Sequence, residues 1–373
     1  MAKVNVIIMI GVAGSGKSTY IENIRKNTNK VTFSFESDYY RKMMYGSLEE
    51  GNNHNKEVFE RMNEEFFGMI EWCNRLEVDS TIFYDATNLN RRKRRDIYKK
   101  IKWLKCDTNV IAVMNFASME TLLENNNKRP EEKKVPVDVI ERMYKTIQVP
   151  RLEVDCDEIG ATGEIFFGGY PMYSVDDVLN LSSHEIKKEL SKVKESHENP
   201  HHLESISEHI GMCLDNSDGR EMRDVSLFHD LGKSLCKEVK DGGVARYFGH
   251  ATVSAYYYMN YIYSLAKAVR AEFYNDDEIY LLPKKLYMFD ALEIIYQHMC
   301  AHNGLGQKNI RNNKLYDELA EKIYKFAEID SKSRISGITI KEDWLILSRK
   351  IDMVGYKVGK LTVISENTDS NNG

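Results

Sequence analysis

The feature that most constrains this chain is Gly11-Val12-Ala13-Gly14-Ser15-Gly16-Lys17-Ser18-Thr19, set directly behind the apolar run Val4-Asn5-Val6-Ile7-Ile8-Met9-Ile10. The run reads as a buried strand, the glycines as a turn, and the residues after them as a helix. In that context the spacing G-x-x-x-x-G-K-[ST] makes a phosphate cradle. Glycines let successive backbone N–H groups turn inward, and the start of the helix adds positive potential. Lys17 reaches the outer phosphates of a nucleoside triphosphate such as ATP, and Ser18 can ligate Mg²⁺. Gly11, Gly14, Ser15, Gly16, Lys17, Ser18 and Thr19 are therefore the expected nucleotide-binding set. The plain alternative, a glycine turn capping an ordinary helix, leaves Lys-Ser-Thr unexplained.

Further apolar runs, Thr81-Ile82-Phe83-Tyr84 and Val110-Ile111-Ala112-Val113-Met114, alternate with helical stretches such as 57–76. That rhythm predicts a parallel sheet with helices on both faces. From about residue 181 the strand signal fades. Leu203, Ile206, Ile210 and Leu214, then Leu286, Phe289, Leu292, Ile295 and Met299, recur at helical spacing. The expected fold class is an α/β P-loop domain followed by an all-α domain. Gly160-Ala161-Thr162-Gly163 and Gly168-Gly169-Tyr170-Pro171 punctuate the join. They give a first domain at 1–160, a linker at 161–180, a second domain at 181–365 and a polar, frayed tail at 366–373. With 373 residues, 42% of them hydrophobic, the chain exceeds one core and can fill two.

No apolar run near the start approaches the ~20 residues of a spanning helix, so no membrane association is expected. Six cysteines without paired spacing predict neither a disulfide framework nor a zinc ribbon, and a reducing, cytoplasmic location. The net charge of -5 argues against general coating of nucleic acid, although a local basic patch remains compatible with it.

Behind a second apolar run, Val31-Thr32-Phe33-Ser34-Phe35, come Ser37-Asp38-Tyr39-Tyr40-Arg41. Strand C-termini line the ligand crevice of such sheets. A carboxylate there can take the proton of an attacking hydroxyl, and an arginine one turn on can hold a phosphate of the acceptor. Asp38 alone reads equally well as a helix cap. Asp85, at the end of a third run, is placed like a Walker-B carboxylate. The basic run Arg91-Arg92-Lys93-Arg94-Arg95 reads as a solvated helix face before it reads as a nucleic-acid contact. Arg129, in Asn127-Lys128-Arg129-Pro130 ahead of a helix expected at 137–147, sits where a lid closes over a transferring phosphoryl group.

Taken together, the phosphate loop, Ser37-Asp38-x-x-Arg41, Asp85-Ala-Thr-Asn-Leu-Asn and Lys128-Arg129, followed by Val135-Pro136-Val137-Asp138 and Met143-Tyr144-Lys145, resemble the kinase domain of bacteriophage polynucleotide 5′-kinases over about residues 4–150. The resemblance implies that Asp38 is the general base on a 5′-hydroxyl. Arg41 then grips a phosphate of the terminal nucleotide, Arg129 is the lid arginine, and Asp85 is a supporting residue. It departs from the family at Asn125, where a second lid arginine is often found. The phosphatase motif that accompanies the best-known such kinase fails here at Asp155-Cys156-Asp157-Glu158-Ile159, which reads as the acidic end of the first domain.

Nine of the ten histidines fall at 184 or beyond. His209, the adjacent pair His229-Asp230, His250, His298 and Asp330 form a candidate metal set on separate helices, suited to Mn²⁺, Fe²⁺, Ni²⁺ or Zn²⁺. Such a cation makes water a nucleophile for a phosphoester near neutral pH. His184, His197 and His201 are assigned no role. The His-Asp pair ends an apolar helix face, where an unpaired charge would be costly.

Glu208-His209, Phe228-His229-Asp230-Leu-Gly-Lys233, Phe248-Gly249-His250, His298 and Ala327-Glu-Ile-Asp330-Ser-Lys-Ser-Arg334 resemble the HD phosphohydrolase superfamily over about residues 199–340, in particular the HD domain of bacterial tRNA nucleotidyltransferases. By that resemblance His209, His229, Asp230 and Asp330 hold one metal. His250 and His298 hold a second or contact the scissile phosphate, and Lys233 and Arg334 are phosphate contacts. His302 is an alternative to His298, and His202 an outer candidate.

A 5′-kinase fused to a metallophosphohydrolase implies nucleic-acid end healing. One half phosphorylates a 5′-OH at the expense of ATP, and the other removes a 2′,3′-cyclic phosphate or 3′-phosphate. RNA is favoured over DNA because the cyclic phosphate needs a 2′-OH, and a separate ligase is implied as partner. The rival readings are a small-molecule or nucleoside kinase with an HD nucleotidase, and a nucleotide-gated sensor.

Overall fold

The structure, a computed structural model, describes residues 3–164, 204–239, 243–269, 280–282, 288–302, 307–335, 357–358 and 361–362. Two compact units are present: Met1–Phe167 with Met259–Lys285, and Gly168–Tyr258 with Leu286–Gly373.

The first unit is built on β1 (Val4–Ile10), β2 (Val31–Glu36), β3 (Ser80–Asp85), β4 (Thr108–Ala117) and β5 (Glu158–Glu164), in the sheet order β2-β3-β1-β4-β5. All four pairings are parallel. The unbroken apolar run of β1 suits the centre of such a sheet, where both faces are covered. Its side chains alternate between two cores. Val4, Val6 and Ile8 join Val58, Met62, Phe66 and Ile70 of the helix Asn55–Arg75, whereas Ile7 and Met9 join Ile21 and Ile24 of the helix Lys17–Asn27. Helices thus cover both faces, as the strand–helix rhythm predicts.

The fifth strand lies where the sequence reading put a domain boundary. Glu158-Ile159-Gly160-Ala161-Thr162-Gly163-Glu164 carries two glycines and little β-branched character, so its pattern reads as a turn. Gly163 has φ 79°, and a Cβ there would stand 2.2 Å from the carbonyl oxygen of Phe116 on the neighbouring strand. The glycine permits close approach of β5 to β4 rather than marking a linker. The outer edge of β5 is extended by a later segment: Ala161 N–H donates to the Tyr280 carbonyl at 3.2 Å and Leu282 N–H to that of Ile159 at 2.8 Å. A division at one point of the chain, with the first domain ending at 160, therefore does not describe this unit, because residues 259–285 belong to it.

In the second unit the described residues are mostly helical: Ile206–Asp215, Gly219–Phe228, Lys233–Cys236, the start of His250–Val269, Met288–His302, Gln307–Asn312 and Asp317–Lys332. It is not purely α. Glu238–Val239 pairs antiparallel with Ala245–Arg246, and Lys357–Val358 with Leu361–Thr362. The helix at Ile206 opens with a capping box. The Ser205 side chain accepts from Glu208 N–H, and the Glu208 carboxylate accepts from Ser205 N–H, which fixes the first turn just before His209. Of the linker expected at 161–180, residues 161–164 form the end of β5; residues 165–180, His184, His197, His201, His202, the side chain of His302 and the tail at 366–373 lie outside the described residues.

Candidate functional site

The phosphate loop joins β1 to the helix Lys17–Asn27, whose N-cap is Gly16 at φ 86°. That left-handed backbone is open to glycine without strain. The loop is tied at several points. Gly11 N–H donates to the Thr87 carbonyl at 3.1 Å, Ser15 N–H to that of Val12 at 3.1 Å, and Asn125 Nδ2 to that of Gly14 at 2.9 Å. Asn125, the position at which the sequence departs from the kinase it resembles, thus fastens the helix Met119–Asn127 to the loop. Lys17 is buried, and its Nζ donates to the carbonyls of Gly11 and Val12, each at 3.0 Å. An ammonium has three hydrogens, so one remains for a phosphate. Burial pulls the Lys17 pKa down to about 8, against the carboxylates of Asp85 and Asp38 and alongside the like charge of Arg129.

Ser18 Oγ donates to Asp85 Oδ2 at 3.0 Å. Burial raises the Asp85 pKa, with Lys17 and Ser18 opposing it, and Asp85 in turn helps raise that of Glu36, its register partner on β2. Hydroxyl and carboxylate oxygens gathered at these strand ends are the hard donor set that suits Mg²⁺. Thr19 is exposed on the first turn of its helix.

Asp38 and Arg41 share the first turns of the helix Ser37–Tyr45. Arg41 Nη1 donates to Asp38 Oδ1 at 2.7 Å and to Ser37 Oγ at 3.1 Å, and Nη2 donates to Asn55 Oδ1 at 2.9 Å. The guanidinium is largely covered, with the Phe59 ring 5.8 Å away, whereas the Asp38 side chain is about half exposed (48%). Arg129 donates from Nη1 to the Lys133 carbonyl at 3.1 Å. Lys42 and Glu132 pair at 2.6 Å, joining the acceptor-side helix to the short turn Glu131–Lys133 behind Arg129.

Only part of the basic run is a solvated face: Arg92 and Lys93 are exposed. Arg91 and Arg94 are buried. Arg94 donates from Nε to Asp155 Oδ2 at 2.8 Å, from Nη1 to the Asn88 carbonyl at 2.7 Å and from Nη2 to that of Val149 at 3.2 Å. Arg91 Nε donates to the same Val149 carbonyl at 3.0 Å. Asp155 and Asp157 are structural: Asp157 Oδ2 accepts from Val110 N–H at 2.8 Å and from Lys102 Nζ at 2.6 Å.

In the second unit His209, His229, Asp230, His250, His298 and Asp330 come together, all buried. His209 Nε2 stands 3.0 Å from Asp330 Oδ1 and 3.3 Å from His229 Nε2. Asp230 faces both sides, Oδ2 lying 3.4 Å from His229 Nε2 and Oδ1 3.4 Å from His250 Nε2. His250 Nε2 is 3.2 Å from His298 Nε2. In every one of these rings Nδ1 faces a backbone carbonyl: Ser333 at 2.8 Å from His209, Ser226 at 2.9 Å from His229, Tyr247 at 2.8 Å from His250 and Ile295 at 2.7 Å from His298. A carbonyl can only accept, so each Nδ1 carries hydrogen and each Nε2 is turned to the centre. This is the outer-shell arrangement of metal-binding histidines.

Burial takes the His250 pKa down to about 4 and that of His298 well below the usual histidine value. For His229, burial works the same way but the Asp230 carboxylate outweighs it and raises the pKa. Burial would raise that of Asp230, yet His229 and Lys233 hold it well below the usual carboxylate range. Lys233 Nζ lies 2.6 Å from Asp230 Oδ2, and Arg334 Nη2 donates to Asp330 Oδ2 at 2.6 Å. The two cations expected to meet phosphate therefore also brace the two carboxylates.

Two neighbours of this cluster were not anticipated. Cys213 Sγ is 3.6 Å from His209 Nε2, and Glu204 Oε1 is 3.6 Å from His209 Nδ1. Cys213 was legible, since it follows His209 by four residues on one helix.

Residues 6–150 match the family model described as an AAA domain. Among solved structures the chain is similar to a fungal RNA kinase at 15% identity over 44% of this chain and 76% of that one, with a TM-score of 0.30. It is similar to a gluconokinase from Sinorhizobium meliloti at 17% identity over 43% and 83%, with a TM-score of 0.28. It is also similar to the tunicamycin resistance protein of Deinococcus radiodurans at 14% over 40% and 85%, with a TM-score of 0.29. Among the described residues no helix is long and apolar enough to cross a membrane.

Proposed function

We propose that this chain is a bifunctional nucleic-acid end-healing enzyme. Its first unit phosphorylates 5′-hydroxyl ends from ATP, and its second hydrolyses 2′,3′-cyclic phosphate or 3′-phosphate ends, on RNA in preference to DNA. The observation that supports the kinase half is the phosphate loop itself: Lys17 Nζ is fixed by the Gly11 and Val12 carbonyls at 3.0 Å with one hydrogen left over, and Ser18 Oγ donates to Asp85 Oδ2 at 3.0 Å. The half-exposed Asp38 carboxylate and Arg129 are within electrostatic reach of the nucleotide cradle.

Within that arrangement Asp38 accepts the proton of the attacking hydroxyl. Arg41, positioned by Ser37, Asp38 and Asn55, has one Nη2 hydrogen left to donate to the acceptor's phosphate. Lys17 directs its remaining hydrogen to the triphosphate, and Arg129 closes from the lid. Ser18 and Asp85 are the residues that would hold Mg²⁺, which neutralises phosphate charge in such transfers.

For the hydrolase half, four imidazoles with Nε2 turned inward and two buried carboxylates fit a divalent cation such as Mn²⁺, Fe²⁺, Ni²⁺ or Zn²⁺. A cation there acidifies water and offsets phosphoester charge. His209, His229, Asp230 and Asp330 would hold it, and His250 and His298 would hold a second or orient the scissile phosphate. Lys233 and Arg334 align the Asp230 and Asp330 carboxylates while facing the phosphate. A separate ligase would then join the healed ends.

The test uses one RNA oligonucleotide bearing 5′-OH and 2′,3′-cyclic phosphate ends, incubated with ATP, Mg²⁺ and Mn²⁺, with both termini read by mass spectrometry. Gain of the 5′-phosphate with loss of the cyclic phosphate is expected. Lys17→Ala should remove only the first change and Asp230→Ala only the second. If ATP is consumed and neither end changes, the polynucleotide reading is wrong and a small-molecule acceptor replaces it.

A further inference from the structure

Cys213 lies on the helix Ile206–Asp215, four residues after His209, so the two side chains leave one face a turn apart. A buried cysteine ordinarily packs its sulfur as a small hydrophobe. Here the sulfur ends 3.6 Å from His209 Nε2. Cys213 Sγ, ring nitrogens of His209 and His229 and a carboxylate oxygen of Asp330 all lie within 4.8 Å of one another. A second observation is independent of the thiol. The Nδ1 hydrogens of His209 and His229 are committed to the carbonyls of Ser333 and Ser226, so their Nε2 atoms face each other across 3.3 Å. Lone pairs directed to one point are the arrangement of ligands. The other group, Asp230, His250 and His298, has the same convergence but no sulfur.

We propose that Cys213 is a thiolate ligand to the cation held by His209, His229, Asp230 and Asp330, so that the cluster has two unlike halves. This inference rests on the metal-site reading above. The half containing Cys213 offers sulfur, nitrogen and oxygen from four side chains, with Asp230, whose Oδ2 is 3.4 Å from His229 Nε2, shared with the other half. The half formed by Asp230, His250 and His298 offers three, which leaves a position open for water or substrate. Binding at the first half breaks the S–H bond, forms a sulfur–metal bond from the sulfur electron pair, and releases the proton to solvent. No oxidant or reductant is involved. A thiolate favours Zn²⁺ and its analogues over Mg²⁺ or Mn²⁺, so the half with Cys213 would select Zn²⁺ more strongly than the half without sulfur.

The test is spectroscopic and needs no turnover. The full chain is stripped with a chelator and titrated with Co²⁺ under reducing conditions. The wild type should develop visible cobalt absorption together with a thiolate-to-cobalt charge-transfer band in the near ultraviolet. Cys213→Ser should keep the visible absorption, lose the charge-transfer band and bind Zn²⁺ at least about tenfold more weakly. Visible absorption without the band in the wild type, or a band that survives in Cys213→Ser, overturns the proposal while leaving the metal site standing. Failure to bind Co²⁺ or Zn²⁺ at all overturns the metal-site reading itself. Should Cys213→Ser not fold, labelling of the wild type decides. In mild urea, Zn²⁺ should slow iodoacetamide modification of Cys213 at least about tenfold more than that of Cys236, a buried cysteine outside the cluster. Equal protection of the two overturns the assignment.

Discussion

Replacing Arg94 by methionine tests whether the basic run after β3 is a surface feature or part of the core. Arg94 and Asp155 are both fully buried, with Nη2 and Oδ2 2.7 Å apart. The substitution preserves most of the side-chain bulk but removes every donor. Asp155 keeps only the Arg151 N–H at 2.7 Å on its other oxygen, and the Asn88 carbonyl loses the Nη1 donor at 2.7 Å. Removing one partner of a buried pair costs about 3–5 kcal/mol, because the remaining charge stays out of water. Urea unfolding followed by tryptophan fluorescence, to which Trp72 and Trp103 of this unit contribute, should show it. With a slope near 2 kcal/mol/M the midpoint moves down by roughly 2 M. The double variant Arg94→Met/Asp155→Asn should be less destabilised than the sum of the single changes, since it no longer buries a lone carboxylate. ATP affinity should fall as well, because Asn88 Nδ2 donates to the Met9 carbonyl at 2.7 Å and so ties this segment to the strand that enters the phosphate loop. A cost below about 1 kcal/mol, the value of an exposed ion pair, would refute the reasoning.

Other expectations are sharper in mechanism than in magnitude. Asp38→Asn should lower kcat for phosphorylation by about 10²–10⁴-fold while ATP binding changes little; equal loss of ATP affinity in a titration would place Asp38 in the nucleotide site instead. Lys17, with its pKa near 8, should lose its proton in the free protein just above neutrality. ATP affinity should therefore weaken by about tenfold between pH 7 and 9, a trend absent in Lys17→Arg. Treatment with a chelator should lower the thermal midpoint of the second unit, and excess Zn²⁺ or Mn²⁺ should restore it. In the metal-free protein the unfolded chain takes protons that neutral His250 and His298 refuse between the usual histidine pKa of 6.5 and about 4, the His250 value. Stability should therefore fall as pH drops through that window, by up to about 1.4 kcal/mol per unit for each ring, with the raised pKa of His229 opposing part of it. A denaturation midpoint that does not move between pH 7 and 5 would count against neutral burial of these rings.

What could be read from the chain was whatever a local pattern expresses. The run Val4 to Ile10 followed by the glycine loop specified the central strand and its cradle, because apolar continuity and glycine spacing are local signals. The histidines and carboxylates of the second unit's cluster could also be picked out without coordinates, since His229-Asp230 ends a buried helix face where an unpartnered charge is costly. Three things were hidden. Strand β5 lacks the residues that mark a strand, and is held instead by its register with β4 and by the backbone of residues 280–282. Arg91 and Arg94 look solvated in a run of five bases, but Asp155, some sixty residues on, pairs with Arg94, and the Val149 carbonyl accepts from both. The segment 259–285 joins the first unit through pairing that no local pattern announces.

The histidine cluster shows why its outer partners matter as much as its ligands. Each Nδ1 is held by a carbonyl: those of Ser226, Tyr247 and Ile295 lie three residues before their own histidines, and only that of Ser333 is distant from its ring. A carbonyl three residues back is supplied by the local chain, so three rings are aimed by their own backbone. His209 is aimed instead by the end of the helix Asp317–Lys332, which also carries Asp330. The geometry of the site therefore depends on docking that helix against the helix Ile206–Asp215. Asn216 Nδ2 donates to Ser333 Oγ at 2.9 Å, and Glu204 Oε2 accepts from Ile335 N–H at 3.0 Å, which secures the contact on both sides of His209. Asn216→Ala touches none of the proposed ligands, yet it should loosen the Ser333 carbonyl and weaken metal binding, within the range of about 10–100-fold seen for outer-shell partners. Unchanged Zn²⁺ affinity in competition with a chelator would show that His209 is aimed by something other than this carbonyl.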